Sequence, residues 1–310
     1  MSEELIATLL CVLNAIERAF TEEGSVWRII FLPTVFAGFG AFSGGYFAYR
    51  FRKKEEAYKK ARDKLDKMAL AGALAAGVCG SAITTKKQLI AEAVSRYEES
   101  RKKVLAELSI PTVGPKTLRL DLNLIYFSPP VVEVKEVLDA VKVIGSGDPR
   151  NMPQAIALLE SANNFRKLCE DRNFWISDFR ASSKGMSEYE IMCSYYGVPI
   201  SDSEIDSRYR DCMRELLVSI DSMIFHSFEI YCRLTCDLVD LSQAFKDRYR
   251  ERYRFAVVDF SDQVSAGLFP DRAEFADWLR EPTQYDRRKG QKMADFVLEK
   301  KSSIRAGYSG

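Results

Sequence analysis

The chain has 310 residues, 47% hydrophobic and 12% aromatic, which is enough apolar material for a sizeable core and too much for a chain disordered throughout. Its 45 basic and 44 acidic side chains nearly cancel, which excludes the strongly basic composition of a dedicated nucleic-acid binder. The seven cysteines (Cys11, Cys79, Cys169, Cys193, Cys212, Cys232 and Cys236) are odd in number, scattered and form no CxxC pair, so they read as free thiols of a reducing compartment and not as a disulfide framework.

Residues 1–28 begin with an acidic MSEE, without the basic flank and small-residue cleavage site of a secretory signal; the apolar run 5–16 reads as a short helix. Residues 29–49 then hold 21 consecutive uncharged side chains, a helix of about 30 Å that matches the hydrocarbon thickness of a bilayer. Trp27 at one end and Tyr46 and Tyr49 at the other suit the headgroup regions. Gly40 and Gly44 form a GxxxG with Gly38 and Gly45 beside them, a small-residue groove that lets a second helix approach.

Residues 50–67 carry nine Lys or Arg against four acidic side chains, whereas residues 1–28 carry two Arg against five Glu. By the positive-inside rule this places the C-terminal side in the cytoplasm, with Arg50, Arg52, Lys53, Lys54, Lys59 and Lys60 next to anionic lipid. A small-residue span that ends in an aromatic and a basic helix resembles bacterial inner-membrane anchors. Residues 68–85 form a second uncharged stretch. Its apolar character is mostly alanine and glycine, so a helix in water is expected, with a second span as the alternative.

Residues 50–108 read as one long basic helix or two in tandem, a stalk stopped by Pro111 and Pro115. Residues 118–124 (LRLDLNL) alternate with period two and predict a strand, with 255–260 as its weaker partner. After Pro129 and Pro130, helices are expected over 131–144 and 150–182, then a loose polar stretch containing Gly185, Gly197 and Pro199. Residues 201–253 predict a long helix capped by Ser201 or Asp202 with Glu204. Its seam is Met213, Leu217, Ile220, Ile224, Phe228, Tyr231, Leu234, Leu238, Leu241 and Phe245, spaced for a bundle or coiled coil. Short helices over 271–280 and 285–300 complete the chain.

No P-loop, GxSxG, HExxH or GxGxxG occurs. His226 is the one histidine; Glu229, Arg233, Asp237 and Asp240 follow it at helical spacing, and a solvated or ion-paired stripe is expected there before a general base oriented by Glu229. Cys232 and Cys236, four apart, read as core thiols. Residues 246–254 (KDRYRERYR) offer Arg248, Arg250, Arg252 and Arg254 to an anionic partner, diluted by acidic neighbours, with nucleic acid the less expected ligand.

The expectation is therefore a mostly α protein. It has an N-terminal helix (1–28), a transmembrane span (29–49), a basic helical stalk (50–108) and a cytosolic helical bundle (115–310) with a minor two-stranded β element. No catalytic residue, metal or cofactor is assigned. The expected role is a membrane-tethered, non-enzymatic interaction or scaffold protein of a bacterial inner membrane, single-pass with its N-terminus outside, that self-associates or binds a cytosolic protein. The alternative is a membrane-perturbing effector of toxin-like or anti-phage type, whose glycine-rich span oligomerises when the cytosolic domain is triggered.

Overall fold

The computed structural model describes residues 10–14, 17, 27–109, 122–130, 133–144, 151–199 and 205–276, with side chains of the first long helix from Phe36 onward. Residues 10–14 are helical, within the run expected to form the N-terminal helix. The elements are α1 (Trp27–Thr85), a π-helical turn (Lys86–Ile90), α2 (Ala91–Leu108), α3 (Val134–Ile144), α4 (Asn151–Ser182), a 3₁₀ turn (Ser183–Gly185), α5 (Glu188–Tyr196), α6 (Arg208–Tyr249), α7 (Ser261–Ser265) and a second 3₁₀ turn (Arg272–Phe275). The chain divides into two units, Met1–Arg62 and Asp63–Gly310. The first contributes the exposed part of α1 described with the anchor below; the second holds the core.

In the second unit, α1 buries a stripe at helical spacing: Leu65, Met68, Ala71, Ala75, Cys79 and Ala82. The small side chains let α6 come close. A Cβ added at Gly72 would lie 4.0 Å from the Leu234 Cβ, and the Cys79 thiol sits 3.9 Å from the Ile224 carbonyl oxygen. Residues 68–85 are thus an alanine-rich core helix: Val78 and Ile83 are buried, and Leu70 points outward.

Helices α4 and α6 run antiparallel. The Cys212 thiol donates to the Leu168 carbonyl, the Ser219 hydroxyl to the Ser161 carbonyl, and His226 meets Gln154, so positions fall along one helix as they rise along the other. Over 219–235, α6 is buried on nearly every side, and Met223, Phe225, Ser227 and Ile230 join the apolar seam read from sequence. Leu217, Phe228 and Leu241 of that seam are only half-buried. Helix α3 packs on α4 through Val134, Val137, Leu138 and Val141.

The expected two-stranded element is not formed, and no strand occurs among the described residues. Residues 118–121 lie outside them. From Asn123 to Phe127 most backbone bonds are made to side chains, the Leu124 N–H to the Leu122 carbonyl excepted, and none to a second strand. The Asn123 N–H donates to the Tyr195 hydroxyl at 3.1 Å. The Asn123 carbonyl accepts from the Tyr209 hydroxyl at 3.1 Å and from Arg172 at 3.2 Å. Arg172 also donates to the Ile125 carbonyl at 2.6 Å, Arg180 donates to that of Leu124 at 2.8 Å, and the Asn173 amide closes both the N–H and the carbonyl of Phe127. The proposed partner strand is occupied too: the Tyr231 hydroxyl accepts from the Val258 N–H at 2.7 Å and donates to its carbonyl at 3.0 Å.

Two further boundaries differ. The stretch read as loose contains α5, opened by a capping box between Ser187 and Glu190 and closed by Gly197 at φ 60°. A Cβ at Gly197 would meet Arg210 Cβ at 3.3 Å, so both φ and space call for glycine. Helix α6 stops at Tyr249 because Arg250 adopts φ 60°, ending the helix with an N–H to the Lys246 carbonyl. The 201–204 cap lies outside the described residues, as does most of the two short C-terminal helices; what is described there is the 3₁₀ turn Arg272–Phe275.

Arg172 is fully buried, its guanidinium 3.7 Å from the Phe127 ring centroid. Replacing it with methionine leaves the Ile125 carbonyl without this donor and the Asn123 carbonyl with the Tyr209 hydroxyl alone; an unpaired acceptor costs about 1–3 kcal/mol. Arg172→Met is therefore expected to lower the unfolding free energy of the full chain in urea by about 3 kcal/mol; a loss below about 0.5 kcal/mol would show that the clamp is dispensable.

Candidate membrane anchor and basic surfaces

Among the described residues one helical run, Phe36–Leu108, is long and apolar enough to cross a membrane by length and composition, and just over half of its most apolar window is buried inside the protein. Its first part differs from the rest. From Phe36 to Phe51 every residue is exposed except the half-buried Ser43. Phe36, Phe39, Phe42, Phe47 and Phe51 are each 64–78% exposed.

At 3.6 residues per turn the side chains sort onto two faces. Phe36, Phe39, Phe42, Tyr46, Phe47 and Tyr49 cover one. Ala37, Ala41 and Gly45 form a row on the other, beside Gly40, Gly44 and Ala48, so small residues recur every fourth position in two adjacent rows. A Cβ added at Gly38, Gly40, Gly44 or Gly45 would meet nothing within 4 Å. The GxxxG named from sequence is one of these rows. The alanines that complete them were legible in the same four-residue period.

The basic flank is exposed from Arg50 to Lys54 and again at Lys59 and Lys60. Arg50 stands over the Tyr46 ring, 5.2 Å from its centroid. Arg52 pairs with Glu56 at 3.4 Å and Lys59 with Glu55 at 2.7 Å, exposed i,i+4 pairs that solvent and salt screen. Lys53, Lys54 and Lys60 have no acidic partner among the described residues.

The second basic segment was expected along a helix; instead it turns a corner. Arg248 lies on the last turn of α6, its guanidinium 5.4 Å from the Tyr249 ring centroid. Arg250, Arg252 and Arg254 follow in irregular backbone, all exposed. The tyrosines between them point elsewhere. Tyr249 packs on the buried Phe245 with ring centroids 4.9 Å apart, and the Tyr253 hydroxyl donates to Asp66 of α1 at 2.8 Å. The sequence shows the arginine–tyrosine alternation but not that the two residue types divide the work.

The His226 flank is ion-paired but buried at its centre. His226 is 3% exposed, its Nδ1 2.5 Å from Gln154 Oε1 on α4. Glu229 is buried as well and accepts from Arg272 of the C-terminal 3₁₀ turn, with Arg233 at 3.8 Å. Glu229 is thus held by two arginines and does not orient the imidazole. On either side, Lys86 of the π turn pairs with Asp221 at 2.6 Å while donating to the Leu268 carbonyl, and Phe275 stacks on Phe225 at 4.2 Å. The cluster fastens residues 261–276 to the bundle.

Thiol chemistry is muted by burial, which pushes Cys79 and Cys212 up to about 12 and Cys169 to about 11. Thiols held so far above neutral pH are poor nucleophiles. Among the described residues no three His, Cys, Asp or Glu side chains converge as a metal set would.

Comparison with known protein families, with characterised proteins and with solved structures finds no match.

Burial first, then the Arg233 charge, lowers the His226 pKa from 6.5 to about 4, so the folded chain keeps a neutral ring. The unfolded chain takes up that proton near 6.5, so it binds more protons than the folded one between those values. Stability is then lost as pH falls from about 6.5 to about 4, by roughly 3 kcal/mol in all. Urea titrations across that window are expected to show this slope in the parent chain and a flatter one in His226→Gln; identical slopes would show that His226 is not the group responsible.

Proposed function

We propose that the chain is a single-pass protein of a bacterial inner membrane in which residues 29–49 span the bilayer, the N-terminus lies outside, and the helical unit serves in the cytoplasm as a non-enzymatic platform that self-associates or binds a cytosolic protein. The observation that carries this reading is the surface of residues 36–51. Five phenylalanines left in water forgo about 2 kcal/mol each, and the four glycines between Gly38 and Gly45 weaken a water-exposed helix by about 1 kcal/mol each. Lipid reverses both terms: the rings are solvated, and no water competes for the backbone.

Orientation rests on the excess of Lys and Arg over 50–67, with Arg50, Arg52, Lys53 and Lys54 nearest the anionic headgroups. Self-association rests on the two small-residue rows. Between helices in lipid the hydrophobic drive is absent, so close backbone approach supplies the attraction. A second copy of the same face is the simplest occupant.

The membrane-perturbing effector is the second reading, favoured by the same glycine-dotted face, since an oligomer of such helices disturbs the bilayer it crosses. Alkaline carbonate is expected to leave the full-length chain in the membrane pellet, and a reporter that works only in the cytoplasm is expected to be active when fused after Gly310. Release into the supernatant removes the anchor, and a silent fusion reverses the orientation. Cross-linking of the membrane-bound chain is expected to fall severalfold with Gly40→Leu plus Gly44→Leu if these rows form the contact. Dye leakage on overexpression that the same pair abolishes selects the effector; tight membranes at high expression select the platform.

A further inference from the structure

The basic turn after α6 lies at the end of the helical unit where α1 enters it. Along α1 and α6 the contacts step in opposite directions: Cys79 faces Ile224, Gly72 faces Leu234, and Asp66 accepts from Tyr253 beyond the end of α6. The helices are therefore antiparallel, and the turn after α6 lies at the end of the unit where α1 enters it, beside Asp66. That is the end to which residues 50–62, with their own excess of Lys and Arg, lead in the sequence.

The turn is rigid where it is anchored and bare where it is charged. Tyr249 is fixed on Phe245, Tyr253 on Asp66, and the Tyr253 ring stacks on Phe255 with centroids 6.4 Å apart. The non-glycine left-handed residue Arg250 turns the backbone between these anchors. Arg250, Arg252 and Arg254 have no acidic partner among the described residues, and Arg248 has only the neighbouring ring.

This division of labour selects the ligand. A single-stranded nucleic-acid platform needs aromatic faces free for bases, but both tyrosines are committed to the protein. What remains is a cluster of guanidinium forks, which bind phosphate oxygens in pairs. We propose that Arg248, Arg250, Arg252 and Arg254 form a contact of the helical unit with the phosphates of anionic lipid headgroups. The contact rests on the membrane anchor proposed above.

The full-length chain, reconstituted into vesicles of phosphatidylcholine alone or with phosphatidylserine, is treated with phenylglyoxal and the modified arginines are read by peptide mass spectrometry. Phosphatidylserine is expected to protect each of the four about fivefold, the factor that one basic residue contributes near an anionic surface. The protection should vanish at high salt, and Arg96, exposed on α2, serves as the unprotected control. Equal modification of the four in both vesicle types overturns the proposal, as does protection that an oligonucleotide gives and phosphatidylserine does not. Carbonate extraction of the same vesicles separates the two readings. A chain that is extracted yet protected loses the anchor and keeps this contact; one that resists extraction without protection does the reverse.

Discussion

A helix buried on almost every side cannot choose its neighbours freely. Over 219–235, α6 presents not only Ile220, Ile224, Ile230 and Leu234 to the interior but also Ser219, His226, Ser227, Glu229 and Thr235. Each polar group taken out of water must find a partner or cost about 1–3 kcal/mol. The surrounding elements are arranged to answer that demand. Helix α4 offers the Ser161 carbonyl and Gln154, the C-terminal turn brings Arg272, and within α6 itself the Ser227 hydroxyl folds back onto the Met223 carbonyl. The same satisfaction by side chain recurs at the other end of the unit, where Arg172, Tyr195 and Tyr209 hold Asn123 among the rings of Tyr97 and Trp175.

Against this inward-facing unit stands a helix segment with the opposite economy. Residues 36–51 bury nothing and expose rings. Both arrangements occur on one α1, because alanines and glycines serve both. Ala71, Ala75 and Ala82 let α6 come close, while Ala37, Ala41, Gly44 and Gly45 leave an open face. Composition alone hardly separates the two; what separates them is the identity of the large residues between the small ones.

That explains how much the sequence discloses. Residues 150–182 were legible as a helix almost to the residue, because Pro153 and the following apolar periodicity are local signals. The alternation over 118–124 predicts a strand, but over 123–127 the backbone partners are tyrosines, an asparagine and arginines from three helices, which no local pattern announces. Arg172 and His226 escaped for a related reason. A helical wheel sorts residues by type, while burial of a charged or polar residue is decided by groups far along the chain. Helix α5 is a different case: Ser187, Glu190 and Gly197 spelled out its two ends, but its nine residues are too few for periodicity to carry.

The π turn at Lys86–Ile90 sets the phase of everything after it. A π turn is an α-helix carrying one extra residue, so the helix beyond it is rotated by about 100° from where an unbroken helix would leave it. In that rotated frame the Tyr97 hydroxyl donates to the Tyr195 carbonyl, and Arg101 donates to that of Tyr196. Removing one residue from the turn would restore regular helix and swing those side chains toward solvent, although no contact residue had been altered. The long helix therefore has a reading frame of its own, and between Leu65 and Tyr97 its length is as constrained as any side chain in the core.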